Sequence, residues 1–168
     1  MPNVLQTEMW TPYQIGIAPR IRSIHTREGL GDHLRMIAFA ERQAFHAFKN
    51  AIEVYADAPV GLRDAWKWVA EEEAKHETWL LKRLTDIGED VSAVPVDLHL
   101  FDSLIKLATA REFALFISDA EERGRKGAEK IARTLLVIDP VTAKIFNQIA
   151  LEEREHIALV DKFFTFAS

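Results

Sequence analysis

Cysteine is absent from this 168-residue chain. That excludes a disulfide scaffold, an iron–sulfur cluster, a thiolate zinc site and a rubredoxin-type module. Glycine and proline are scarce, at 7 and 6 residues, and fall mostly between segments of apolar periodicity, which favours long helices over a turn-rich sheet. A basic excess is also missing. The formal net charge of −5 argues against nucleic-acid binding and against an anionic membrane surface. No uninterrupted apolar run reaches the length of a membrane span, and Met1 to Tyr13 lacks a basic stretch followed by an apolar one, so no signal peptide is visible. The expected address is the cytoplasm. A 48% hydrophobic and 28% charged composition is that of one soluble globular domain with its own core.

What is present is helical periodicity. Residues 1–27 read as an irregular arm, with Pro2, Pro12, Gly16 and Pro19 too frequent for a helix. Residues 28–168 read as an all-α, antiparallel four-helix bundle made of two repeated helical hairpins joined by a crossover. Apolar spacing predicts helices over Gly29 to Ala56, Val60 to Ile87, His99 to Leu136, and from Asp139-Pro140 onward. Asp57-Ala58-Pro59 reads as a turn, Gly88 as a helix stop, and Asp139-Pro140 as an N-cap with proline in the first helical position. The connector from Glu89 to about Leu98 contains Pro95, has no helical period, and suits a crossover better than a tight hairpin.

One pattern occurs twice. Glu73-Ala74-Lys75-His76 follows Glu41, and Glu153-Arg154-Glu155-His156 follows Glu121. The paired glutamate trails the single one by 32 positions in both copies (41 to 73, 121 to 153), and 80 positions separate the copies. A glutamate and a histidine three residues apart share one helix face and can reach one ion. The midpoint of Glu41 and Glu73 is Asp57, and that of Glu121 and Glu153 is Val137 beside Asp139-Pro140. Turn signals and ligand spacing therefore agree on antiparallel hairpins.

Phase chooses among the many glutamates. Glu121 continues the stripe of Ala114, Ile117, Gly124 and Ala128, whereas Glu122 shares a face with Arg125, Lys126 and Glu129. Glu73 lies with Val69 and Leu80, and Glu71 lies with Lys67 and Lys75. A single Glu-x-x-His on a charged helix is usually a surface coincidence. A buried ion pair is excluded on the reading that no Lys or Arg occupies the inward stripes. Four carboxylates and two neutral imidazoles balance two divalent ions, whereas burying unpaired carboxylates costs several kcal/mol each. Gly124 is expected to open space one turn from Glu121, and Glu72 and Glu152 to accept the remaining N–H of a ligand histidine. His25, His33, His46 and His99 take the bland reading of surface or capping groups, and Trp66, Trp68 and Trp79 that of core or subunit-contact aromatics.

These residues resemble the ferritin-like di-iron carboxylate superfamily, which includes bacterioferritins, rubrerythrins and tRNA hydroxylases, over about residues 30–166. The segments Trp66 to His76 and Glu121 to Gly124 are similar to an uncharacterised bacterial ferritin-like family. The resemblance implies that Glu73 and Glu153 bridge two iron ions, with manganese or zinc as alternatives. Glu41 and His76 would complete one ion, and Glu121 and His156 the other. It implies a non-haem di-iron oxidoreductase acting on O2 or peroxide, a small-molecule substrate, an external electron donor and a homodimer. The alternatives are a bacterioferritin-like iron-storage ferroxidase and a metal-binding protein without catalysis. No catalytic residue beyond the metal ligands is expected.

Overall fold

The computed structural model describes residues 16–164, so the readings made on Met1 to Tyr13 lie outside them. Among the described residues the chain is all-helical, in the order α1 (Arg27–Val54), α2 (Leu62–Asp86), α3 (His99–Leu104), α4 (Ala110–Leu135) and α5 (Pro140–Phe163). Residues 16–26 form no helix. The chain divides into two compact units. Of the described residues, the first holds 16–50 with Ala70–Ile105, and the second holds Ala51–Val69 with 106–164.

The first unit is built on most of α1, the larger part of α2, and α3. Its buried residues include Leu34, Phe39, Phe48, Leu80, Leu84, Phe101 and Leu104. Charged side chains tie the connector between α2 and α3 to α1. Arg35, fully buried, donates from Nε to the Val91 carbonyl at 3.1 Å and from Nη2 to that of Asp90, while its Nη1 meets Asp32. Arg22 grips the same Asp32 carboxylate through two bonds of 2.8 Å, holding that carboxyl below the usual aspartate range. Gly29 is required by close approach, because a Cβ there would run into the Ser23 carbonyl. Gly88 stops α2 with φ +77°, a left-handed conformation that side chains resist.

The second unit centres on an aromatic trio. Trp66 meets Phe113 edge-on at 5.3 Å between ring centroids, and Tyr55 lies 5.6 Å from Phe113. The Tyr55 hydroxyl donates to the Leu107 carbonyl at 2.9 Å, and burial raises its pKa. Helices α4 and α5 pack together, joined by a short turn. Their antiparallel course follows from Ser118 bonding to Ile157 while Glu129, further along α4, meets Arg154, nearer the start of α5. Asp139 caps α5 by accepting from the Thr142 N–H at 3.1 Å, with Pro140 in the first turn.

The structure corrects the expected helix over His99 to Leu136. It is broken at 105–109 into α3 and α4. Thr109 and Glu112 form a reciprocal capping box at the start of α4, and Asp57 accepts from the Ala110 N–H at 3.1 Å. Four orphan N–H groups at a new helix start are costly, and these side chains satisfy two of them, at Ala110 and Glu112.

Candidate metal centre

In the first unit, Glu41 on α1 and Glu73 and His76 on α2 bring their ligand atoms within 4.8 Å of one another. In the second, Glu121 on α4 and Glu153 and His156 on α5 do the same. All six residues are buried; the most exposed is Glu41 at 9% and the least is His76 at 0%. Glu71 and Glu155, which neighbour them in sequence, are exposed. Helix phase produces this sorting, since successive positions turn by about 100°.

Each histidine turns the same nitrogen toward its glutamate. His76 Nδ1 lies 3.6 Å from Glu73 Oε2, and His156 Nδ1 lies 3.4 Å from Glu153 Oε2. Two ligands held about 2.1 Å from one ion at tetrahedral or octahedral angles are themselves about 3.0–3.4 Å apart. The donor set of two carboxylates and one imidazole per unit fits a divalent transition metal, for which thiolate is not needed.

Charge supports the same fit. The second unit buries two carboxylates, Glu121 and Glu153, in its triad, which one divalent ion balances. Beside the first triad the structure buries a pair that sequence reasoning missed. Arg42 Nη1 lies 3.6 Å from Glu77 Oε2, with both side chains under a tenth exposed. This corrects the expectation that no cation enters the inward stripes: the long Arg42 side chain is buried although its Cα is a step round the helix from Glu41. It adds one positive and one negative charge, so the balance is unchanged. The pair is not repeated, because the positions 80 further on are Glu122 and Ile157.

Aromatic rings stand against both histidines. Trp79 packs at 5.6 Å from His76, and Trp68 meets His156 edge-on at 5.3 Å. Trp79 stands three residues after His76, the one sequence signal of this contact. Glu72 has a carboxylate oxygen within 4.8 Å of a His76 ring nitrogen and also pairs with Lys75 at 2.6 Å. Glu152 accepts from Gln148 at 2.7 Å. Gly124 departs from expectation. It is exposed, and a Cβ there would meet nothing within 4 Å, so it opens no internal space beside Glu121. Arg125 beside it turns to Glu122 and Glu129 instead.

The sequence profile of the family described as "Protein of unknown function (DUF455)" matches residues 5–168. The chain belongs to this family. The DUF455 match spans both triads, the Arg42–Glu77 pair and all five helices. Comparison with curated proteins returned no match, and neither did comparison with solved structures. Membership in DUF455 carries no activity with it, so the chemistry rests on the donor sets. Among the described residues no helix is long and apolar enough to cross a membrane.

Proposed function

We propose that this protein is a ferritin-like di-metal carboxylate oxidoreductase, in which each of two helical hairpins holds one iron ion in its triad. The observation that carries the reading is the duplication of a buried Glu plus Glu-x-x-His set at equal spacing in each unit. Glu41, Glu73 and His76 would hold one ion, and Glu121, Glu153 and His156 the other. A pair of ferrous ions supplies electrons for activating O2 or peroxide, and manganese or zinc would fit the same donors.

The chain's own residues set the conditions for that chemistry. The four carboxylates would hold the ions and neutralise their charge. The Nδ1 orientation shared by both histidines leaves Nε2–H to donate to a carboxylate, for which Glu72 is placed beside His76. Burial of all six side chains keeps bulk water from the donors. The second substrate is a small molecule, and electrons come from an external donor, since the chain has no cysteine for a redox module.

The test is anaerobic loading with Fe(II) followed by oxygen. Oxygen uptake with new near-ultraviolet absorbance supports the reading, and absence of both removes the redox assignment. Native mass measured alongside separates a monomer or dimer from the hollow assembly that iron storage requires.

A further inference from the structure

The first unit contains a cavity of about 300 Å³ away from the triad. Met36, Phe39, Ala40 and Gln43 of α1 line it on one side, and Val94 and Leu100 on another. Phe39 and Gln43 lie on the side of α1 opposite Glu41, at about 100° of turn per residue. The cavity is therefore not the metal pocket. Its size falls at the lower end of ordinary small-molecule sites, which combine apolar walls with a few fixed polar groups.

Three charged residues line it. Asp32 is held by Arg22 and Arg35, and Arg35 by Asp32 and two connector carbonyls, so this buried pair offers no net charge to an occupant. Asp97 is exposed to solvent and accepts from the His99 N–H at 3.0 Å. Gln43 is different. It is 4% exposed, and its Oε1 accepts from the Phe101 N–H at 3.0 Å. That bond fixes the amide and leaves its Nε2 with no hydrogen-bond partner among the described residues, in a side chain that lines the cavity. That donor is open to the cavity and free to bond an occupant that carries an acceptor.

We propose that this cavity is a binding site for a neutral, largely apolar small molecule with one carbonyl-type acceptor, which takes a hydrogen bond from Gln43 Nε2. Apolar walls supply the affinity, and Gln43 selects for the acceptor. The site works independently of the metal centre and stands whether or not the triads hold iron.

The test uses the full chain and fluorescence of N-phenyl-1-naphthylamine, displaced by 2-acetylnaphthalene or by 2-ethylnaphthalene, which share a shape and differ in the carbonyl. Saturable uptake is expected, unchanged after chelator treatment and lost in Ala40→Phe with metal content retained. Should Ala40→Phe lose its helical circular dichroism, Val94→Phe fills the same cavity from the other wall. Gln43→Glu keeps an acceptor for Phe101 and removes the donor. It should weaken 2-acetylnaphthalene by about three- to tenfold, the worth of one hydrogen bond, and leave 2-ethylnaphthalene within about twofold. Absence of saturable uptake, uptake untouched by the filling variants, or equal weakening of both competitors would overturn the proposal.

Discussion

His156 Nδ1 stands 3.4 Å from Glu153 Oε2, one helical turn away on α5, and His76 stands in the same relation to Glu73 at 3.6 Å. The likeness is a consequence of sequence. An i, i+3 pair on a helix projects from one face, and burial of that face leaves both side chains aimed at the same point. Two such pairs, each with a single glutamate from a neighbouring helix, make each unit a donor set in its own right.

If each triad serves mainly one ion, the histidines are separable. His76→Gln and His156→Gln should each lower bound metal by about half, whereas Glu122→Ala, on the solvated face of α4, should leave it unchanged. Elemental analysis of the three variants purified without chelator checks this. Equal loss in all three would point to unfolding instead.

The Arg42–Glu77 pair is buried, and removing either side chain removes a charge-assisted contact from the other. Arg42→Met should cost about 1.5–3 kcal/mol of stability. Replacing both, Arg42→Met with Glu77→Leu, should recover most of the loss. Urea denaturation of the single and double variants measures the difference, and a double variant no better than the single one would show that the pair is not a unit.

Much of this was legible in the sequence, for identifiable reasons. The ends of α1, α2 and α5 follow from turn residues and from Asp139-Pro140, and the inward turn of Glu41, Glu73, Glu121 and Glu153 follows from helix phase. The break before α4 was written in Thr109-x-x-Glu112 but outweighed by apolar residues that kept helical spacing through it. Arg42 and Arg35 were not legible, because a long cation is buried by what surrounds its tip, which periodicity along one helix does not contain. Gly124 failed for the opposite reason. Its phase fits the inner stripe, yet it is exposed although Glu121 before it and Ala128 after it are buried.

Thr109 tests that break. Thr109→Ala removes the side-chain acceptor for the Glu112 N–H, bonded at 3.2 Å, and should destabilise the protein by about 1 kcal/mol. Thr109→Ser should restore most of it. Thermal or urea unfolding gives the comparison, and an unchanged Thr109→Ala midpoint would show that the cap contributes nothing.

Glu122 supplies a pH signature on the solvated face of α4. Hydrogen bonds from Arg125 lower its pKa from 4.5 to about 2. A carboxyl whose folded pKa lies below its unfolded value contributes stability above the unfolded value, and that contribution is lost as pH falls from about 4.5 through about 2. A carbon-detected NMR titration should find the Glu122 midpoint far below those of exposed glutamates. Arg125→Gln should move it back toward 4.5, and a normal midpoint in the unmodified protein would refute the pairing.

The most direct measurement is metal content per chain in protein purified without chelator, set beside the Glu73→Ala, Glu153→Ala double variant with its helical content verified. The account predicts about two transition-metal ions per chain and nearly none in the folded double variant. A protein that carries no metal and takes up none when Fe(II), Mn(II) or Zn(II) is offered would contradict it.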